Sequence, residues 1–213
     1  MTFASRENAG RQLGDHMLRR GVHADLAVGL PRGGVVVAAE VAKVLQIPLD
    51  VLVVRKIGHP WHREFAVGAL AEGGTVVLDE NSVVRTRVGE EELQGIITEE
   101  TDRLKAYMRK FRRDEPIPRT NKSVLVIDDG LATGATMEAA VKSAKEQGAR
   151  QVVVAVPVAS THAVQRLSEV ADQVLALWTD PNFDAVGRYY EQFAQTTDEE
   201  VVALLHENER MAA

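Results

Sequence analysis

The sequence predicts an α/β fold in which a parallel, twisted sheet is flanked by helices. Three runs rich in β-branched residues have the composition of buried strands: DLAVGL (25–30), SVLVID (123–128) and QVVVAVPVA (151–159). A segment with helical spacing of apolar residues follows each run, and this alternation is typical of a parallel sheet covered on both faces. The length of 213 residues fits a single domain, 1–213.

Apolar residues at intervals of three and four predict the helices. The segment 90–111 also carries acids at its start and bases at its end, which suits the helix dipole. Thr197 and Glu200 form a capping box for the last helix. The predicted helices cover residues 5–20, 35–45, 90–111, 136–147, 163–171 and 198–209.

Further strands and an irregular tail complete the expected order. A second strand is predicted from Leu49 to Arg55, a loop over 57–64, a hairpin over 65–81 and a strand over 173–178. After Trp178 the regular alternation ends in an irregular, aromatic stretch. The amphipathic segment 90–111 either supplies a dimer surface or closes the core.

Composition excludes several classes of function. The chain has no cysteine, which excludes disulfides, thiolate metal sites and cysteine nucleophiles. A net charge of −6 without a separate basic block disfavours nucleic acid as the main partner. Neither a secretory signal nor an apolar run of membrane-spanning length is apparent, so we expect no membrane association and a cytoplasmic location.

The segment VLVIDDGLATGATMEAA (124–140) ends a predicted strand with two adjacent acids, Asp128 and Asp129. The small or hydroxyl-bearing residues that follow are Gly130, Thr133, Gly134 and Thr136. Backbone N–H groups at a helix N-terminus bind anions, whereas the acids would accept hydrogen bonds from neutral hydroxyls. A sugar phosphate satisfies both halves. The alternatives are a helix N-cap at Thr133 or Thr136, an ordinary polar strand end, or direct metal binding by the acids.

This segment resembles the phosphoribosyl-pyrophosphate (PRPP) loop of the type I phosphoribosyltransferases. The resemblance implies that Asp128 and Asp129 hold the ribose hydroxyls while residues 132–136 surround the 5-phosphate. It also implies a flexible flap over 57–74, a helical insertion over 90–115, and a hood with a C-terminal helix over 179–213. The implied PRPP-binding residues are Asp128, Asp129, Gly130, Ala132, Thr133, Gly134, Ala135 and Thr136.

Two further segments resemble the parts of the family that bind pyrophosphate. GLPRGGVVVAAEVA (29–42) is similar to the pyrophosphate loop, and VVRKIG (53–58) to the strand before the flexible loop. The implied pyrophosphate-binding residues are Arg32, Gly33, Gly34, Arg55 and Lys56. The alternatives are a plain turn at the first segment and a surface pair of cations at the second.

The loop IGHPWHREFAVG (57–68) would then be a mobile flap that shields the reaction from water. His59 is the candidate catalytic residue near the leaving group, alongside Asp128 and Asp129. A metal cluster of His59, His62 and Glu64 and a plain solvated loop are the alternatives.

The irregular tail would cover the acceptor. Trp178 and Phe183 are the candidate acceptor-binding residues, and Tyr189 and Tyr190 offer further flat faces for stacking. The alternative is that these rings pack the core or the lid. The spacing of GLPRGG does not match the G-x-G-x-x-G of a dinucleotide-binding domain, which disfavours that class.

The resemblance implies transfer of the 5-phosphoribosyl group from PRPP to a nitrogen acceptor, such as a nucleobase, with release of pyrophosphate. Mg²⁺ would be bound mainly through PRPP, pyrophosphate and water rather than by protein ligands. The family also favours a homodimer. A catalytically silent PRPP-binding regulatory protein is the alternative function.

Overall fold

The computed structural model describes residues 1–63, 65–86, 88–111 and 116–212. The strands of this part of the chain are β1 (Leu26–Gly29), β2 (Leu49–Val51), β3 (Val54–Gly58), β4 (Ala66–Ala71), β5 (Val76–Leu78), β6 (Ser123–Ile127), β7 (Gln151–Ser160) and β8 (Gln173–Asp180). The helices are α1 (Arg6–Arg19), α2 (Gly33–Leu45), α3 (Glu80–Thr86), α4 (Glu90–Phe111), α5 (Ala135–Glu146), α6 (Thr161–Ser168) and α7 (Asp198–Ala212). A short 3₁₀ turn covers Val186–Tyr189.

The parallel sheet has five strands in the order β2-β1-β6-β7-β8 and helices on both faces, which confirms the predicted fold class. Leu26 pairs with Val124 and Gly29 pairs with Ile127, so β1 and β6 run side by side and end together. The segments that follow these two strands, 30–34 and 128–136, therefore start from one edge of the sheet.

A separate antiparallel sheet, β3-β4-β5, contains the predicted hairpin. The predicted single strand from Leu49 to Arg55 is wrong, because β2 stops at Val51 and β3 starts at Val54. Leu52 N still donates to Gly29 O (3.1 Å), whereas Val53 O already accepts from Glu72 N (3.0 Å). The chain thus passes from one sheet to the other within two residues.

The predicted loop at 57–64 is also shorter than expected. Ile57 and Gly58 belong to β3, Ile57 is fully buried, and β4 begins at Ala66. Helix α3 was not predicted. Residue 64 and residues 112–115, which belong to the predicted flap and helical insertion, lie outside the described residues.

A buried ion cluster joins the two sheets. Arg119, whose side chain is 1% exposed, lies 2.8 Å from Glu72 Oε1 and 3.5 Å from Asp50 Oδ2 through Nη2. Its Nη1 donates to the Gln147 side chain in the turn after α5. Asp50 belongs to β2 and Glu72 follows β4, so one guanidinium connects the sheets and a helix end.

The predicted helix boundaries are mostly confirmed. Helix α1 starts after Ser5, whose Oγ accepts from Asn8 N (3.3 Å). The capping box at Thr197 is formed by two reciprocal bonds with Glu200, of 2.7 and 3.1 Å. Helix α4 has the predicted bounds, and its buried face, Leu93, Ile96, Leu104 and Phe111, closes the core of the chain. None of the helices among the described residues has the length and apolar character to cross a membrane.

Candidate functional site

The two predicted acids lie where β6 ends, against the start of α2. Asp128 Oδ1 accepts from Asp129 N at 2.8 Å. A Cβ atom added at Gly34 would lie 2.8 Å from Asp128 Cα, and one added at Gly33 would lie 2.2 Å from Asp129 Oδ2. Only glycine allows this approach, so the N-terminus of α2 contacts both acids through bare backbone. The structure thus brings together the predicted ribose and pyrophosphate segments.

The acid pair has unusual electrostatics. Burial of the Asp128 carboxyl and the adjacent charge of Asp129 raise the pKa of Asp128 well above its usual range. The charge of Arg6 acts in the opposite direction on this pKa. Burial and the neighbouring acid therefore both disfavour the charged form of Asp128.

Arg6 of α1 forms an ion pair with Asp129 that no sequence pattern predicted. Its Nε donates to Asp129 Oδ2 at 2.7 Å, and Nη1 donates to Ala194 O at 2.7 Å. The guanidinium lies over the Phe193 ring, 3.8 Å from its centroid. Tyr190 Oη donates to Asp129 O at 2.6 Å. The N-terminal helix therefore bonds the side chain of Asp129, and the tail bonds its backbone oxygen.

The predicted phosphate loop leads directly into α5. Gly134, whose φ is 78°, is the N-cap of α5. No side chain at this N-cap position accepts a hydrogen bond from the first turn of the helix. The N-cap alternative for Thr133 and Thr136 is therefore wrong. Thr133 is exposed, and Thr136 lies in the first turn of α5. The first-turn N–H groups are thus available for an anion.

The loop is held in shape by its neighbours. Leu131 forms a parallel bridge with Ala159, and Ser160 Oγ donates to Ala132 O at 2.6 Å. Gly130 is buried beneath Val186 of the tail. The loop therefore has a fixed backbone before any ligand arrives.

The predicted cations Arg55 and Lys56 line a cavity of about 400 Å³ beside Pro31. Arg55 Nε lies 2.6 Å from Glu100 Oε2, whose carboxylate also binds Arg103 at 2.7 Å. Lys56 is exposed. The lining further includes His59, Arg63, Arg103 and Tyr107. In a chain of net charge −6, this is a local concentration of positive charge.

Arg32 and His59 lie at the margins of this region. Arg32 precedes α2, and its Nη1 is 3.7 Å from Asp198 Oδ1 at the start of α7. His59 is 6% exposed and Nδ1 accepts from Trp61 N at 3.2 Å. Its ring stacks on His62 with 5.6 Å between centroids. Glu64, the third member of the possible metal cluster, lies outside the described residues.

The predicted acceptor residues do not contact the acids. Trp178 is exposed on the edge strand β8, and Phe183 stacks on Tyr189 with 5.2 Å between centroids. Burial of the Tyr189 phenol, together with its hydrogen bond to Asp180, raises the pKa of Tyr189 to about 12. The tail residue that bonds one of the acids is instead Tyr190, and Phe193 contacts Arg6 beside them.

Comparisons with known proteins identify the family. The model of the phosphoribosyl transferase domain matches residues 15–191. A protein of Mycobacterium tuberculosis H37Rv, whose name gives phosphoribosyl transferase as a provisional function, is 44% identical over 204 residues, or 95% of this chain and 46% of that protein. The crystal structure of TT1426 from Thermus thermophilus has a TM-score of 0.83 and 44% identity, over 97% of this chain and 99% of that one.

The chain belongs to the phosphoribosyl transferase family. It spans about half the length of the curated relatives that it matches. In this phosphoribosyl transferase, the segments 29–42 and 124–140 lie at the ends of the adjacent strands β1 and β6.

The acids Asp128 and Asp129 are the oxygen donors that this part of the site could offer to Mg²⁺. Among residues 1–63, 65–86, 88–111 and 116–212, no group of three or more metal-binding side chains could hold an ion. One oxygen of Asp129 is already bound to Arg6. Such a donor set suits a cation that arrives with oxygen ligands from substrate and water.

Three contacts of the site were not predicted from the sequence: Arg6 with Asp129, the Tyr190 hydroxyl with Asp129, and Glu100 with Arg103. Arg6 and Asp129 are 123 residues apart, so no local pattern relates them. The signal for Glu100 was present, because an acid on the apolar face of an amphipathic helix needs a cation to be buried. Arg55 is that cation.

Proposed function

We propose that the protein transfers the 5-phosphoribosyl group of PRPP to a nitrogen acceptor, a flat heterocycle of the nucleobase class, and releases pyrophosphate. The lone pair of the acceptor nitrogen forms the new bond to the anomeric carbon. The bond from that carbon to the pyrophosphate oxygen breaks, and its electron pair leaves with pyrophosphate. The acceptor nitrogen then gives up its proton.

One observation carries this proposal: two helix N-termini flank a pair of acids at one sheet edge. Helices α2 and α5 start just after the adjacent strands β1 and β6, and Asp128 and Asp129 lie between these starts. Each helix start favours an anion, whereas carboxylates favour hydroxyls. PRPP carries an anionic group at either end of a ribose diol, so its chemistry matches this order.

Each group of the chain has a defined role in this proposal. The first turn of α5 binds the 5-phosphate, and the backbone at Gly33 and Gly34 receives the diphosphate. Asp128 and Asp129 accept hydrogen bonds from the ribose hydroxyls and stabilise the positive charge that develops on the ring. Mg²⁺ on the diphosphate oxygens would act as a Lewis acid for the leaving group.

The cavity with Arg55, Lys56 and His59 supports the diphosphate side of the proposal. Its cations lie beside Pro31, next to the pyrophosphate loop. Glu100 holds Arg55 and Arg103 in place through bonds of 2.6 and 2.7 Å. Positive charge is therefore fixed on the side from which the leaving group departs.

The proposal is tested by thermal unfolding with PRPP and Mg²⁺. We expect a rise in Tm for the wild type, because a ligand that binds only the native state stabilises it. The double variant Asp128→Asn, Asp129→Asn should lose this rise. Asp15→Asn, which changes an exposed acid of α1, is the matched control and should keep it. No rise in the wild type, under conditions where a known PRPP binder responds, contradicts the proposal.

Turnover is tested separately from binding. Release of pyrophosphate from PRPP is measured with a panel of nucleobases and related amides. Release that depends on one acceptor supports the transferase, and binding without release by any of them supports the regulatory alternative.

The proposal extends to a cytoplasmic homodimer, as the resemblance to the family implies. Sedimentation of the purified protein checks the oligomeric state, and a mass of one chain contradicts the dimer.

A further inference from the structure

Arg6 is fixed from three sides beside the acid pair. Its side chain is 11% exposed, Nε bonds Asp129 and Nη1 bonds the Ala194 carbonyl. The ring of Phe193 lies 3.8 Å below the guanidinium carbon. A guanidinium with two hydrogen bonds and an aromatic support is held in one position rather than moving with solvent.

Asp129 has three oxygen atoms, and two of them accept hydrogen bonds from other parts of the protein. Oδ2 accepts from Arg6, and the backbone oxygen accepts from the Tyr190 hydroxyl. No cation or backbone N–H in the part of the chain that the structure describes donates to Oδ1, and the carboxylate has a side-chain contact with the Asp128 carboxyl. Gly33 places no side chain in this space. One carboxylate oxygen thus remains for an incoming hydroxyl.

The charged and polar groups that face the Asp129 carboxylate come from four parts of the fold. Asp128 comes from the end of β6, Arg6 from α1 and Tyr190 from the tail, and α2 contributes only backbone at Gly33. Burial raises the pKa of the Tyr190 phenol, so this group stays neutral. Arg6 is the cation of the set, and it opposes the mutual repulsion of the two acids.

We propose that Arg6 is a positioning residue for the ribose diol: it holds Oδ2 of Asp129 and thereby turns Oδ1 toward the ligand. This inference rests on the proposed function. It differs from the view that Arg6 merely blocks Asp129 and leaves when a sugar binds. The two views predict opposite signs, because removal of a blocking group tightens binding whereas removal of a positioning group weakens it.

The first experiment needs no ligand. The side-chain carboxyls of aspartate are followed by carbon-13 NMR during a pH titration of the wild type, Arg6→Gln, Arg6→Lys and Arg11→Gln. In Arg6→Gln the acid pair should take up its proton at a pH about one unit higher, since the nearby cation is lost. Arg6→Lys should restore most of the wild-type value. Arg11, an exposed arginine of α1 paired with Glu40, is the matched control and should change nothing.

The second experiment measures PRPP affinity with Mg²⁺ as a function of pH. Arg6→Gln should weaken binding about tenfold at neutral pH and move the acidic limb of the profile to higher pH. A merely structural role would lower affinity equally at every pH. Tighter binding by Arg6→Gln, or an unchanged carboxyl titration, overturns the inference. If the wild type does not bind PRPP, the proposed function fails, and the titration alone still decides whether Arg6 controls Asp129.

Discussion

The two sheets of the molecule build their parts of the site in different ways. The parallel sheet presents backbone at the ends of β1 and β6, where glycines and helix N-termini surround the acids. The antiparallel sheet presents charged side chains, Arg55 and Lys56, above a cavity shared with α4. The first part depends on main-chain geometry, and the second depends on ion pairs such as that between Arg55 and Glu100.

This difference shows how the proposed binding function can be divided. A phosphate or a diol that must be placed accurately is met by fixed backbone and short side chains. A leaving group that must depart is met by longer, charged side chains, of which Arg55 is held by Glu100. The ion cluster of Arg119 sets the distance between the two parts, because it binds acids from both sheets.

The largest effect is expected from breaking the junction of the sheets. Arg119→Met removes the guanidinium from beside the buried carboxylates of Asp50 and Glu72, and loss of one partner of a buried ion pair costs about 3–5 kcal/mol. We expect urea unfolding to show a loss of stability of that size. Arg150→Met is the control, since this exposed arginine pairs with Asp25 at 3.4 Å on the surface and should change stability little. Equal effects of the two substitutions would contradict a special role for the cluster.

A smaller effect, confined to binding, is expected on the backbone side. In Gly34→Ala the new methyl group would lie 2.8 Å from Asp128 Cα, so the start of α2 must move away from the acids. We expect PRPP affinity to fall about 100-fold, equivalent to about 2.7 kcal/mol. Isothermal titration calorimetry provides the measurement.

The matched control for that variant is Gly95→Ala in α4. A methyl group there meets open space, and alanine in a helix interior is favoured over glycine by about 1 kcal/mol. This variant should be slightly more stable and bind PRPP normally. Unchanged binding by Gly34→Ala would show that α2 does not need to touch the acids.

The smallest effect is expected on the side-chain part. Lys56→Gln removes one exposed cation from the cavity beside Pro31, and we expect PRPP affinity to fall about tenfold, or about 1.4 kcal/mol. Ribose 5-phosphate, which lacks the diphosphate, should bind wild type and variant equally. An equal loss of affinity for both ligands would show that Lys56 does not act on the diphosphate.

The local sequence was sufficient for most of the parallel sheet. Strands β1, β6 and β7 are apolar runs followed by the helices α2, α5 and α6, and the order of β6, loop and α5 follows from residues 124–140 alone. Helix α4 was equally clear, because its apolar period and charge order agree over its whole length. In these segments, the residues that predict each element are the same residues that form it.

The remaining features depend on partners far away in sequence. The break between β2 and β3 occurs inside an uninterrupted apolar run, and only the competing partners Gly29 and Glu72 decide where pairing changes. The segment PIPRTN (116–121) has no regular apolar pattern, yet its Arg119 is one of the most buried side chains. Arg6 likewise acquires its role only when α1 and the tail come together at Asp129.

The pairing of β1 with β6 has a consequence for the order in which the parts of the protein fold. Leu26 and Val124 are about a hundred residues apart, and the antiparallel sheet and α4 are formed from the chain between them. Closing so long a loop is slow, so non-local pairings of this kind tend to form late. The acids meet the start of α2 only after this closure, which makes ligand capture a reporter of the completed chain topology rather than of any single element.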